Sequence, residues 1–252
     1  MEIGKIIENR QIITDVYQLI VDLPQIAKLA SPGQFLHVKI TGGATLLRRP
    51  ISIADADSIS GRLTLIYRIV GKGTAALAAL PVGCNLDCLG PLGNGFSLNS
   101  KPTLLVGGGM GIAPLIFLAK TLATEDTAIL MGARNKTELF WQPIFQPLVK
   151  DIFVTTDDGS AGTKGFTVDL LPELMQSKQY EQICVCGPQV MMEGVARLAA
   201  KYKVPCQVSL EKYMACGLGA CLSCTCESKA GGSRKKVCTD GPVFWAQEVF
   251  EL

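Results

Sequence analysis

The order of apolar patterns along this chain predicts a mixed β and α/β fold. An antiparallel β-barrel spans residues 1–99, an α/β domain with a parallel sheet spans 100–210, and a small segment spans 211–252. Three observations carry that prediction. Apolar residues alternate at period two through the first stretch. Strand-like and helix-like runs then take turns. After Leu210 the periodicity stops, and five of the ten cysteines fall in what remains. A chain of 252 residues has room for this, since domains run to ~100–200 residues, and it can bury a core without disulfide staples.

In the first stretch Tyr17, Leu19 and Val21 alternate, as do Leu36, Val38 and Ile40, and then Leu63, Leu65, Tyr67 and Ile69. Turn residues separate them at Ser31-Pro32-Gly33, Thr41-Gly42-Gly43 and Ser60-Gly61. One helix is expected over Thr74–Leu80, stopped by Pro81. Many short antiparallel strands in this length make a small barrel. The sole histidine, His37, falls in a strand pattern and is expected at the surface or half-buried.

The pattern changes at Lys101-Pro102. Strands are expected at Thr103–Val106, Ala128–Met131, Ile152–Thr155, Gln182–Cys186 and Cys206–Leu210, and helices at Ile112–Leu122, Glu138–Val149, Val168–Gln176 and Gln189–Tyr202. Such alternation implies a parallel sheet covered by helices on both faces.

Charged residues make up 18% of the chain and the net charge is +2, too even a balance for nucleic acid or an acidic membrane surface. No basic and apolar leader opens the sequence, and the longest apolar stretch, Thr103 to Ala119, is broken by Gly107, Gly108, Gly109, Gly111 and Pro114. A soluble cytoplasmic protein without a membrane span is expected. In that setting ten cysteines favour metal binding over disulfides.

The most specific pattern is Cys216-x4-Cys221-x2-Cys224-x13-Cys238, the plant-type [2Fe-2S] spacing. Thiolates from one tight loop reach two irons only if the backbone curls closely, which Gly217 and Gly219 permit. Ala215 and Ala220 leave room for backbone N–H groups near the sulfurs. A structural zinc site is the competing reading, although zinc ribbons pair two short knuckles and here the far side supplies a lone cysteine. Cys226 is read as a bystander that could replace a ligand. Cys84, Cys88, Cys184 and Cys206 are read as small buried hydrophobes.

Two further patterns concern phosphate. In Arg48-Arg49-Pro50-Ile51-Ser52 an arginine fork can pair with a pyrophosphate. Gly71-Lys72-Gly73-Thr74 precedes the expected helix, where exposed N–H groups and the helix dipole favour an anion and Thr74 is also an ordinary N-cap. Gly107-Gly108-Gly109-Met110-Gly111 follows an apolar strand and opens a helix, the setting that makes a glycine loop credible as a dinucleotide site, although a tight turn would explain one or two of the glycines. Cys186-Gly187-Pro188 ends another strand at the same sheet edge.

With Pro32-Gly33-Gln34-Phe35 and Gly90-Pro91-Leu92-Gly93, these motifs make the chain resemble the ferredoxin-reductase flavoprotein superfamily. The resemblance implies FAD contacts at Arg49, Pro50, Ile51, Ser52, Gly73 and Thr74, with Ile66, Tyr67 and Arg68 as neighbours, and an NAD(H) pyrophosphate at Gly107, Gly108, Gly109 and Gly111. It also implies a catalytic position for Cys186 beside the hydride path. Asp157 or Asp158 could bind a ribose hydroxyl and favour NAD, while Arg134 and Lys136 argue for NADP.

The run from Ser209 to Cys224, with Cys238-Thr239-Asp240-Gly241-Pro242-Val243-Phe244, is similar to the electron-transfer subunits of B-type dihydroorotate dehydrogenases. That resemblance implies iron ligands Cys216, Cys221, Cys224 and Cys238, and a partner catalytic subunit carrying FMN in a heterotetramer of two of each chain. It implies a role in pyrimidine biosynthesis, passing electrons through [2Fe-2S] and FAD to NAD+. The three expected sites use the whole chain and leave no room for a substrate barrel of ~250 residues. Two other classes compete: a stand-alone or other-complex NADH:acceptor reductase of the sulfite reductase or hydrogenase type, and a non-enzymatic zinc-containing nucleotide sensor.

Overall fold

A computed structural model of the chain describes residues 1–40, 46–98, 102–122 and 124–252. The expected turn at Thr41-Gly42-Gly43 and the boundary at 99/100 lie outside the described residues. Six strands, β1 (Glu2–Ile13), β2 (Val16–Asp22), β3 (Phe35–Lys39), β4 (Arg49–Asp57), β5 (Arg62–Arg68) and β6 (Asn85–Leu92), close into a barrel in the order β1-β2-β5-β4-β3-β6. All their pairings are antiparallel. Closure leaves no sheet edge to protect. Short helices α1 (Pro24–Leu29) and α2 (Lys72–Ala78) accompany the barrel.

Alternation decides what each strand buries. Leu36 and Val38 on β3 join Leu19, Val21, Leu63 and Leu65 in the barrel core. Phe35 packs instead with Cys224, Val237, Cys238 and Phe244 of the last segment. His37 shares that outer face and is fully buried against Gly217, so the expectation of a surface or half-buried residue is corrected. The outer face of β3 is covered by chain far away in sequence.

The middle stretch supplies β7 (Thr103–Gly108), β8 (Thr127–Ala133), β9 (Asp151–Thr156), β10 (Thr163–Lys164), β11 (Gln182–Cys186) and β12 (Cys206–Ser209). The helices between them are α3 (Ala113–Thr121), α4 (Gln142–Phe145), α5 (Thr167–Ser177) and α6 (Gln189–Lys201). The helix expected over Glu138–Val149 reduces to α4, because Pro147 has no N–H to continue the ladder after Gln146.

The last segment adds β13 (Thr225–Cys226), β14 (Lys235–Lys236), β15 (Val243–Trp245) and α7 (Ala246–Val249). The larger sheet runs β10-β9-β8-β7-β11-β12-β15, parallel except that β15 joins β12 antiparallel. The last segment therefore contributes an edge strand that the expected parallel sheet lacked.

Two contacts fix the parts to each other. Leu115, Ile116 and Ala119 of α3 share a buried cluster with Val16, Ala54 and Ile66 of the barrel. Lys120 pairs with Asp55 across the same seam. Among the described residues no helix is long and apolar enough to cross a membrane.

Candidate functional site

The barrel's contribution begins with two adjacent arginines that do different work. Arg48 is spent on structure: its Nη2 meets both carboxylate oxygens of Asp87 at 2.9 Å, and its Nη1 donates to the carbonyls of His37 and Asp87. Arg49 uses only Nη1, on the carbonyls of Leu47 and Arg48, and its guanidinium makes no other hydrogen bond among the described residues. Its Nε lies where a side chain on Gly73 would begin, 2.4 Å from an ideal Cβ there. Gly73 is glycine so that the fork can lie against the start of α2.

Thr74 is not the N-cap that its position before the expected helix indicated. Gly71 is the cap and α2 begins at Lys72, so Thr74 stands one turn inside. Its Oγ1 accepts from the N–H groups of Val70 and Gly71 and ties down that turn. An arginine fork beside a helix start fits a phosphate group.

At the sheet, β7 and β11 are neighbours although β8 follows β7 in sequence. The crevice beyond their carboxyl ends is the topological switch point, where parallel sheets bind ligands. Gly107 and Cys186 are register partners there. Three glycines of the loop have local packing reasons. A Cβ on Gly107 would meet Ile112, one on Gly108 Met191, and one on Gly111 the backbone of Cys186 and Gly187, each at 2.6 Å. Gly109 differs. Its φ is +56° and no atom stands within 4 Å of its missing Cβ, so its backbone lies open to a ligand.

Cys186 is half-buried; its thiol donates toward the Ser209 carbonyl at 3.8 Å and is pushed up to about 12 by desolvation. It stays protonated near neutrality.

The loops after β8 and β9 are stitched together. Lys136 N–H donates to Ser160 Oγ, which donates to Asp158 Oδ1. Those bonds hold the Asp158 carboxyl below the usual carboxylate range, the Ser160 hydroxyl first among the causes. Of the two expected ribose partners, Asp158 is committed to its own turn.

The cysteine loop rests on the barrel through Gly93 and Asn94, the two residues that follow β6. Asn94 Nδ2 donates to the carbonyls of Thr239 and Asp240 at 3.2 and 3.0 Å, and its N–H to that of Gly241 at 2.6 Å. A Cβ on Gly93 would meet the Gly241 carbonyl at 2.5 Å. Gly93-Asn94 thus docks the turn carrying Cys238.

On the other side Gly217 and Gly219 have φ of +71° and +78°, the left-handed backbone that glycine favours. The N–H groups of Leu218 and Cys221 reach Cys216 Sγ at 3.3 and 3.5 Å and lower its pKa to about 6, Leu218 foremost. A loop that holds a thiolate with N–H donors suits a metal ligand.

The Cys221 thiol adds to the lowering at Cys216, while burial first and then Cys224 and Cys216 raise the Cys238 thiol. Among the described residues no group of three or more ligating side chains surrounds one point. Cys226 lies half-buried on β13 opposite Lys235, its thiol raised by burial. All ten cysteines are free, and Cys88 and Cys184, buried as expected, are pushed up to about 12 by burial.

A cleft of about 1350 Å³ joins these parts. Arg49, Pro50, Ile51 and Thr74 line it from the barrel, Gly187 and Pro188 from the sheet, and Met214 and Ala215 from the cysteine segment. This exceeds the ~300–1,000 Å³ usual for a small ligand and fits an extended dinucleotide.

Ser52, Ile66, Tyr67, Arg68 and Gly73, expected as contacts or neighbours, do not line it, and neither do Gly107, Gly108, Gly109, Gly111 and Cys186, expected on the nicotinamide side. Ile66 packs under α3, and the Tyr67 hydroxyl donates to Asn9 Oδ1 at 3.3 Å. Met214 and Ala215 were not expected in the cleft. Their adjacency to Cys216 was the available signal.

Comparison with known proteins agrees with this layout. Residues 4–96 match the oxidoreductase FAD-binding domain, 105–197 the oxidoreductase NAD-binding domain, and 211–250 the iron-sulfur cluster binding domain of dihydroorotate dehydrogenase B. The electron transfer subunit of dihydroorotate dehydrogenase B (NAD(+)) from Caldanaerobacter subterraneus subsp. tengcongensis is 39% identical over 249 residues, covering 98% of this chain and 97% of its own. The subunit of the same name from Geobacillus kaustophilus is 40% identical, covering 96% and 95%. Among solved structures, NADH-dependent reduced ferredoxin-NADP oxidoreductase superposes with a TM-score of 0.88 at 33% identity, over 99% of this chain and 90% of that one. The flavohem-like FAD/NAD binding domain of nitric oxide dioxygenase from Vibrio cholerae shares the fold, with a TM-score of 0.68 over 80% of this chain and 93% of its own at 17% identity.

Proposed function

This chain belongs to the family of dihydroorotate dehydrogenase B electron transfer subunits, and from that premise we propose that it carries electrons between a catalytic partner and NAD+ through groups held in the cleft. Its FAD-binding, NAD-binding and iron–sulfur domains make it an NAD-linked oxidoreductase subunit of pyrimidine biosynthesis. The observation that carries the proposal is the single cleft touched by barrel, sheet and cysteine segment.

When bound, flavin and cluster exchange the two electrons of a hydride for single electrons. The chain's own residues bind and orient. Arg49 grips a phosphate of FAD with the fork that Gly73 makes room for, and Pro50 and Ile51 offer backbone edges to the rest of the cofactor. Gly109 lets the NAD(H) pyrophosphate approach the start of α3. The half-buried, neutral Cys186 thiol and Gly187-Pro188 form the wall where the nicotinamide stacks. Cys216, Cys221, Cys224 and Cys238 hold the iron. No acid–base residue is required, which suits a chain with one histidine.

The partner is an FMN-carrying catalytic subunit, joined as two of each chain. Ten unbridged cysteines suit a reducing cytoplasm.

The test is the visible spectrum of anaerobically purified protein, with iron and flavin assays, before and after NADH. Flavin and iron–sulfur bands bleached together, with ~two irons per chain, are expected. Zinc in place of iron, or a chain without flavin, would overturn the proposal. The full-length likeness to NADH-dependent reduced ferredoxin-NADP oxidoreductase favours a second reading, service in a different complex. Co-purification with the catalytic subunit separates the two.

A further inference from the structure

His37 is the chain's only histidine, and the roles assigned above leave it unused. It sits within β3 at 0% exposure, and neither ring nitrogen has a hydrogen-bond partner. A buried polar group is costly to leave unpaired, and those that persist call for an explanation.

The surroundings supply one. The imidazole lies on the outer face of the barrel, between Pro50 on β4, its cross-strand partner, and the cysteine loop. An ideal Cβ on Gly217 would stand 2.7 Å from Nδ1, so any other residue in the loop would displace the ring. The carbonyls of Cys216 and Arg48 lie nearby without meeting hydrogen-bond geometry. Arg48 holds the His37 carbonyl at 3.2 Å, and Phe35 on the same face packs among Cys224, Val237 and Cys238. The ring is thus fixed between the strand carrying Arg49 and Pro50 and the corner carrying Cys216.

We propose that His37 is a positioning residue for the iron–sulfur site, its unpartnered Nδ1 set against the Cys216–Gly217 corner so that it can donate to the group held there and make that group easier to reduce. A donor beside thiolate-bound iron favours the more negative, reduced state and raises its potential. The proposal rests on Cys216 as an iron ligand.

The test uses the full chain, purified anaerobically with flavin and iron. Three quantities are read: iron per chain, the dye-mediated reduction potential of the cluster, and the electron paramagnetic resonance spectrum of its reduced form. His37→Leu and His37→Gln are expected to keep wild-type iron while the potential falls and the spectrum shifts. His37→Asn, whose amide occupies the Nδ1 position, is expected to lie nearer wild type. Unchanged potential and spectrum in His37→Leu at wild-type iron would overturn the role. If that variant fails to load, an unchanged His37→Gln does so. Zinc in the wild-type chain would instead overturn the cluster assignment, a result the same iron assay separates.

Discussion

The parallel sheet and the cysteine segment reach order by opposite routes. Leu104, Leu130, Ile183 and Val208 in the central strands are all 0% exposed, and helices cover the sheet. That core is sufficient without any ligand. Between Leu210 and Pro242 the chain has only two two-residue strands, β13 and β14. It is held by the turn closed on Lys236, by Gly93-Asn94, and by Cys224, Val237 and Cys238, which share a buried cluster with Phe35 and the sheet. Apolar burial organises the whole of the first but reaches the second at those three residues, leaving the rest to docking and ligand chemistry. The two should therefore fail separately.

The sharpest break is Cys221→Ser. Iron is expected to fall to background and hydrogen exchange across 211–241 to rise, while the sheet stays protected and the barrel keeps flavin. Unchanged iron would show that Cys221 is misassigned as a ligand. Leu130→Ala reverses the pattern. The cavity should cost ~2–5 kcal/mol, seen as a lower thermal midpoint, with iron per chain unchanged.

Arg49→Ala acts on the barrel alone. Loss of a charged hydrogen-bonding partner of about 1.5–3 kcal/mol should weaken flavin retention roughly tenfold to hundredfold, read by dilution and filtration. Asn94→Ala removes two bonds to the Cys238 turn and should cost ~1–2 kcal/mol, with faster exchange at 236–241.

The smallest effect is at alkaline pH. Burial raises the Cys184 thiol to about 12 in the fold. Its contribution is complete below the unfolded value of ~8.5 and is lost as pH climbs toward 12. Cys184→Ala should flatten the decline in thermal midpoint over that window, and an unaltered slope would remove Cys184 as its source.

Much of this was legible because it depends on local pattern. Gln182–Cys186 stands where its apolar run put it, and the glycine loop follows β7 as its strand-then-helix setting required. What failed depends on distant chain. Alternation told that His37 and Leu36 face opposite ways, but not that residues 216–217 would cover the outer side. Val243–Trp245 is too short to announce itself as a strand, and only the exposed edge of β12 makes it one. The glycines of the nucleotide loop were visible, yet three are explained by neighbours such as Met191 and Ile112 that no spacing rule brings near.

The pairing of β12 with β15 has a mechanical consequence. Ser209 and Val243 are register partners, and Leu210 N–H donates to the Pro242 carbonyl at 2.8 Å. The iron-bearing stretch is therefore a lasso drawn shut at its neck, with both ends sewn into one sheet edge. A carrier on a tether could swing between donor and acceptor. This one is held at both ends, so the distance an electron crosses inside this chain is set once, when the chain folds.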